Sequence, residues 1–341
     1  MSTPPTSAPM AHLDGLLATD LVEIADVAAD PGVLDGGGWW AVLVTFEGSM
    51  TGYRFASVVP SDLPPAGRWK GPAVDEWHGS LDRPGYLDGV QRIRGHIEAG
   101  DVYQVNLCRM LSAPLADQAD PWALAHRLAN GNPAPYQGVL AVDDGWVVTA
   151  SPELFLRRDA DLLTSAPIKG TTPPLEPFAD KDYPENIMIT DLVRNDLGRI
   201  GRPGSVIVTG LLNREEHPGL AHLVSTVQTR LAVGMGWAEI LAATFPPGSV
   251  TGAPKIRAQQ VISELEPVPR GPYCGAIGYV DADAGRARLA VGIRTFFASR
   301  GPAGRTLNFG TGAGITYSSD PEAEWVETEL KAARLISLAG A

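Results

Sequence analysis

The stretch Ala166-Pro167-Ile168-Lys169-Gly170-Thr171 is where the reading of this chain turns. A lysine is normally a surface ammonium. Here it stands between an apolar Pro-Ile pair and a Gly-Thr pair, and a lysine amine becomes nucleophilic near neutral pH only where burial or nearby cations lower its pKa. Working outward, the upstream runs are Gly100-Asp101-Val102-Tyr103-Gln104-Val105-Asn106-Leu107 and Ser151-Pro152-Glu153-Leu154. Downstream comes Glu185-Asn186-Ile187-Met188-Ile189-Thr190-Asp191-Leu192-Val193-Arg194-Asn195-Asp196, then His222-Leu223-Val224-Ser225-Thr226. Gly248-Ser249-Val250-Thr251-Gly252-Ala253-Pro254-Lys255, Ile293-Arg294-Thr295, Gly312-Ala313-Gly314-Ile315 and Glu324-Trp325-Val326-Glu327-Thr328 complete the series.

Local patterns place these runs on elements. Leu87, Val90, Ile93 and Ile97 fall on one helical stripe over Tyr86–Ala99, with Gly100 where a C-cap glycine belongs. A strand follows from Tyr103 to Met110, and alternation puts Gln104, Asn106 and Cys108 on one of its faces. Pro184 suits the first turn of a helix running to about Leu197, which sets Glu185 at the positive helix end. Another helix begins near Pro254, and the last follows Ser319-Asp320-Pro321 and runs to about Leu338. Short apolar runs between Gly and Asp turns over 20–59 read as strands. Five prolines and four glycines between Pro60 and Gly85 read as a long irregular connection. The expected organisation is a short N-terminal region, 1–60, packed on the core, a linker-like 61–85 and a catalytic domain, 86–341.

Bulk properties narrow the class. The 341 residues are 44% hydrophobic and 19% charged, and no apolar run approaches the roughly 20 residues that span a bilayer. The start is rich in Ser, Thr and Pro and lacks the basic-then-apolar order of a secretory signal, so a soluble, cytoplasmic protein is expected, with no membrane partner. A formal charge of −12 argues against a nucleic-acid surface, which needs clustered Lys and Arg. It does not oppose a small anionic ligand held by a local group of cations. Cys108 and Cys274, each in an apolar run, read as buried thiols. Gly248 to Lys255 lacks the Gly-x-x-x-x-Gly-Lys spacing of a phosphate loop.

In order and spacing the quoted runs resemble those of the chorismate-utilising enzymes, most closely the aminodeoxychorismate synthase component I family, over roughly residues 85–338. The resemblance implies an α+β fold of two large, mostly antiparallel sheets packed together, helices outside and the site between them. It implies conversion of chorismate and ammonia to 4-amino-4-deoxychorismate with Mg²⁺ as cofactor. No Cys-containing nucleophile elbow of a glutamine amidotransferase is present in the sequence, so a separate glutamine amidotransferase subunit is expected to supply the ammonia. Chorismate carries two carboxylates and a C4 hydroxyl that leaves only if protonated, and by resemblance Glu153 is that general acid. The same resemblance implies that Lys169, flanked by Gly170 and Thr171, is the nucleophile toward C2, and that Glu185 and Glu327 are Mg²⁺ ligands with Glu324 close by. Oxygen donors suit such a hard cation. Arg294 clamps one substrate carboxylate, Lys331 adds a second cation, and Gly312, Ala313 and Gly314 offer backbone N–H groups to the other. His222 lies near the C4 region, and Thr251 and Gly252 line the site wall.

Two residues separate the alternatives within the family. Anthranilate synthases typically carry alanine where Lys169 stands, and the water-adding isochorismate and salicylate synthases carry lysine where Gln104 stands. Gln104 has no useful basicity. An inactive chorismate-binding paralogue is the alternative from outside catalysis. The chain departs from its relatives in Thr172-Pro173-Pro174, where Arg-Pro-Arg is usual, in Pro247, and in a shorter N-terminal region, which leads us to expect no tryptophan pocket.

Overall fold

A computed structural model of the chain describes residues 8–142, 145–217, 220–301 and 304–340. The first strands are β1 (Met10–Leu13), β2 (Leu16–Asp26), β3 (Trp39–Val44), β4 (Met50–Pro60) and β5 (His78–Gly79). Helix α1 (Arg83–Glu98) leads into β6 (Gln104–Pro114), and α2 (Pro121–Gly131) into β7 (Tyr136–Val142), β8 (Gly145–Ser151), β9 (Leu154–Asp159), β10 (Leu162–Ala166) and β11 (Ile168–Thr172). Then come α3 (Asp182–Gly198), β12 (Ile207–His217), β13 (Leu220–Arg230), α4 (Trp237–Thr244), β14 (Gly252–Ala253) and α5 (Lys255–Leu265). Strands β15 (Ala276–Asp281), β16 (Arg286–Val291), β17 (Thr295–Gly301) and β18 (Gly304–Ile315) precede the last helix, α6 (Pro321–Ala339). No helix among the described residues is long and apolar enough to cross a membrane.

The α+β architecture is as expected, and the two sheets are halves of one hydrogen-bonded ladder. One half runs β13-β10-β9-β16-β15-β3-β4-β2, with β11 and β12 on β13. The other runs β7-β8-β17-β18-β6, and β1 joins them by pairing with both β2 and β7. Each of these pairings is antiparallel. Trp40, Leu156, Val227 and Val291 of the first half share a core with Cys108 and Met110 of the second, so the ladder folds back on itself. Helices α2 and α6 cover Trp146, Phe296 and Phe309, while α1 and α5 cover Val105, Leu107 and Ile315. These four helices thus lie outside the paired halves, while α3 and α4 pack Ile189, Val193, Trp237 and Ile240 onto the core the halves share.

Boundaries differ from the sequence reading where a cap decides them. Helix α1 starts at Arg83 because the Asp82 carboxylate accepts the Gly85 N–H at 2.9 Å. Helices α2 and α4 were not anticipated. α2 opens on Asp120-Pro121, with the Asp120 carboxylate taking the Trp122 N–H. The irregular 61–77 stretch is tied to the core by Trp69, buried, whose indole donates to the Ala339 carbonyl at 2.9 Å.

One buried cation holds the inner ends of these elements together. Arg270 is 1% exposed; it pairs with Glu266 at 2.6 Å and donates to the Val250 carbonyl at 2.8 Å and the Asn106 carbonyl at 2.9 Å. Glu266 in turn accepts the Cys108 N–H at 2.8 Å, and the Phe46 ring lies 4.2 Å from the guanidinium. Removing one member of a buried pair strands the other. Arg270→Met is therefore expected to lower unfolding free energy by about 3–5 kcal/mol in urea titrations. A loss under about 1 kcal/mol would contradict the tie, since that is the range of exposed pairs.

Candidate functional site

The polar residues collect where the two halves of the ladder exchange strands. Glu153 sits in the crossing from β8 to β9 and Arg294 in that from β16 to β17. Pro152, without an N–H, cannot continue the β8 ladder, and the chain turns there. The Ser151 hydroxyl stitches the two crossings together: it donates to the Val291 carbonyl at 2.6 Å and accepts the Glu153 N–H at 3.2 Å. Val291 N–H donates to the Glu153 carbonyl at 3.0 Å, and Ala150 N–H to the Arg294 carbonyl at 3.0 Å. Arg294 has φ +51, a left-handed conformation that costs a non-glycine residue energy and persists only where surrounding structure enforces it.

Lys169 is aimed by a β-bulge. Ile168 pairs with Val224 and Thr171 with His222, so β11 carries one residue more than β13 between those pairs. Gly170 absorbs it with φ +84, and a Cβ there would press on the Asp182 side chain. The Lys169 ammonium donates to the Ser249 carbonyl at 3.0 Å, and the Asn106 amide donates to the same oxygen at 2.6 Å. Burial pushes the Lys169 pKa below the usual lysine range; Glu185 opposes this and Lys331 reinforces it. Glu153 is 3% exposed and burial raises its carboxyl to about 7, against the Ser249 hydroxyl, Lys169 and the Ile168 N–H, which favour the charged form.

Around this pair lie the other expected residues. His222 is buried, with Nδ1 3.0 Å from the Thr171 hydroxyl. The Gln104 amide donates to Glu185 at 3.3 Å, and its Oε1 is buried with no hydrogen-bond partner among the described residues. Gly314 and Gly252 bracket Gln104: a Cβ on the first would overlap its amide, and one on the second its carbonyl. Gly312 and Ala313 lie on β18 beyond Phe309, where β17 no longer pairs, and the Gly312 carbonyl accepts from Lys331 at 3.0 Å. The Thr251 hydroxyl is spent inside its own turn, on the Pro247 carbonyl at 3.0 Å. Arg294 makes no side-chain hydrogen bond or ion pair with the described residues, and burial alone lowers its pKa to about 10.

On α6, Lys331 meets Glu327 at 2.7 Å, and Lys181 reaches the other Glu327 oxygen at 3.3 Å; with both cations opposing its burial, Glu327 is held down at about 2. Glu324 is buried, one oxygen taken by the Ser319 hydroxyl at 2.7 Å and the other without a hydrogen-bond partner among the described residues. Burial raises the pKa of both Glu185 and Glu324. No group of three His, Cys, Asp or Glu side chains among the described residues is close enough to grip an ion. The donor set is nonetheless all oxygen, and the unpartnered Glu324 oxygen is what a hard divalent cation would satisfy. Glu153, Glu185, Glu324 and Glu327 face Lys169, Lys181, Arg294 and Lys331, and Asp182 adds a further acid beside Lys181, Glu327 and Lys331.

Sequence reasoning missed the carbonyl of Ser249, a backbone role with no side-chain signature, and Lys181, which reads as an ordinary lysine before a helix. Lys255, quoted in a motif without a role, pairs with Asp196 at 2.6 Å and locks α5 to α3. The non-basic flank after Thr171 is held by Arg214 of β12, which donates to the Glu176 carbonyl at 2.7 Å. A cavity of ≈ 240 Å³ lies elsewhere, beside His12, Leu63, Pro135 and Thr149.

A family profile described as chorismate binding enzyme matches residues 54–337. The chain belongs to the chorismate binding enzyme family. Aminodeoxychorismate synthase component 1 of Salmonella typhimurium is 39% identical over 272 residues, 76% of this chain and 58% of that protein. Anthranilate synthase component 1 of Streptomyces coelicolor is 39% identical over 274 residues, 76% of this chain and 52% of its own length. The chain thus spans a little over half the length of these two relatives. The crystal structure of anthranilate synthase component I from Streptococcus pneumoniae has the same fold, with a TM-score of 0.81 over 98% of this chain and 94% of that one at 24% identity.

For this member of the chorismate binding enzymes, the geometry dictates a titration. With its pKa raised, Glu153 is protonated below about 7 and charged above it. Infrared difference spectra of wild type minus Glu153→Gln should show a carboxylic C=O band that disappears with a midpoint near 7; a midpoint in the ordinary range near 4.3 would contradict the buried, desolvated setting.

Proposed function

We propose that this chain is the chorismate-aminating component of an aminodeoxychorismate synthase. The observation that carries the reading is the bulge that sets Lys169, its pKa depressed, on Ser249 beside the protonatable Glu153. In its neutral form Lys169 attacks C2 of chorismate while both ring double bonds shift one place, C1=C2 to C1=C6 and C5=C6 to C4=C5, and the C4–O bond breaks. Glu153 gives its proton to the departing hydroxyl, which leaves as water. Ammonia then adds at C4, both double bonds shift back, and the C2–N bond electrons return to Lys169 as a neutral amine. The new C4 ammonium gives a proton to the Glu153 carboxylate, which restores the starting state and yields 4-amino-4-deoxychorismate.

The other residues bind and orient. Arg294, with no acid of its own, takes one substrate carboxylate, and a planar guanidinium suits that bidentate role. Lys331, the backbone of Gly312, Ala313 and Gly314, and the wall formed by Thr251 and Gly252 meet the remainder of the ring. His222, fixed through Thr171, faces the C4 side. Glu185 and Glu327, with Glu324 beside them, would hold Mg²⁺, which when bound neutralises the ring carboxylate. Gln104 supplies no base for water, which favours amination over hydration. Because the relatives are named as component 1, ammonia is expected from a glutamine amidotransferase partner. Anthranilate formation is the competing reading, since that relative is equally similar, and Lys169 argues against it.

Incubation with chorismate, Mg²⁺ and an ammonium salt at alkaline pH, without any glutaminase, should yield 4-amino-4-deoxychorismate, separated by mass and absorbance. Anthranilate or isochorismate as the main product would overturn the proposal.

A further inference from the structure

Lys181 has no part in the chemistry above, yet its ammonium lies among the carboxylates assigned to the cation. It is 3.3 Å from Glu327 Oε2 and 3.9 Å from Glu324 Oε1. Lys331 holds the opposite Glu327 oxygen at 2.7 Å, so Glu327 is gripped on both sides by ammonium groups. Next to it, Glu324 keeps one buried oxygen without a hydrogen-bond partner among the described residues. The acids nevertheless do not converge as a three-ligand group among the described residues. One arrangement accounts for both observations: a protein cation stands where a metal would draw the carboxylates together.

The two lysines are not equivalent. Lys331 is one turn from Glu327 on α6 and is also anchored to the Gly312 carbonyl at 3.0 Å. Lys181 is half exposed, ends the irregular 173–181 segment, and among the described residues its ammonium pairs with Glu324 and Glu327 alone. A compact ammonium on a flexible four-carbon stem can leave this place for water at small cost.

We propose that Lys181 is an internal competitor for the divalent cation, which neutralises Glu327 and Glu324 in the metal-free protein and withdraws when the ion enters. The inference rests on the metal reading given above. It also links the cation to the chain that follows Lys169, because metal entry breaks the ion pairs that join the end of the 173–181 segment to α6.

The test is Mn²⁺ binding to the substrate-free protein, read from the free-ion electron paramagnetic resonance signal. Lys181→Gln should bind about fivefold more tightly than wild type, the scale expected for losing a partly exposed ion-paired cation. Lys181→Arg, which keeps a competing charge, should match wild type. Arg194→Gln removes the same charge from an exposed pair with Asp191 elsewhere on α3 and should also leave affinity unchanged. Equal or weaker binding by Lys181→Gln, or equal tightening by Arg194→Gln, overturns the competition. Glu327→Gln should bind more weakly. Absence of Mn²⁺ binding by wild type and Lys181→Gln alike at millimolar ion overturns the metal reading itself, and the competition with it.

Discussion

The buried Arg270–Glu266 pair is the interaction on which the site depends. A guanidinium out of water is tolerated only when its charge and most of its donors are met. Here Glu266 meets the charge, and Glu266 with the Val250 and Asn106 carbonyls takes four of the five N–H groups. The result is that the 248–252 turn and the start of β6 are fixed to each other. That fixes the Ser249 carbonyl, which accepts from both Lys169 and Asn106, and the Ser249 hydroxyl, which touches Glu153. The guanidinium itself bonds neither Lys169 nor Glu153, and its consequence is their relative position.

The second constraint is topological. A ladder folded back on itself must cross between its halves, and at a crossing the strand pairing lapses and side chains are released from the regular alternation. Glu153 and Arg294 occupy two such crossings, tied through Ser151, while Lys169 escapes alternation by a bulge instead. Burial then acts on all three in the direction chemistry needs. It favours the protonated Glu153 and the neutral Lys169, and it leaves Arg294 a cation in search of an anion.

Much of this was legible in the sequence because several roles are carried by side chains in short, recognisable runs. The strand alternation of Gln104, Asn106 and Cys108, the helix over 184–197 with Glu185 in its first turn, and the Asp320-Pro321 start of α6 all follow from local rules, and each is present. What could not be read was non-local. No pattern in Ser151-Pro152-Glu153 says that this turn carries the chain from one half of the ladder to the other. Nothing in Ser249 marks its carbonyl as a shared acceptor, and the closeness of Gly314 and Gly252 to Gln104 depends on strand neighbours far away in the chain. Lys181 was invisible for a simpler reason, since a lysine before a helix is usually solvated and only its distance to Glu327 says otherwise.

The claim at the centre of this account is that Lys169 bonds to the substrate. Intact-mass analysis of protein quenched with chorismate and Mg²⁺ in the absence of ammonia tests it most directly. The account predicts a mass increase of chorismate less one water, mapped to Lys169 and absent from Lys169→Ala, with that variant forming almost no 4-amino-4-deoxychorismate while still binding chorismate. A Lys169→Ala protein that makes the product at the wild-type rate would contradict it.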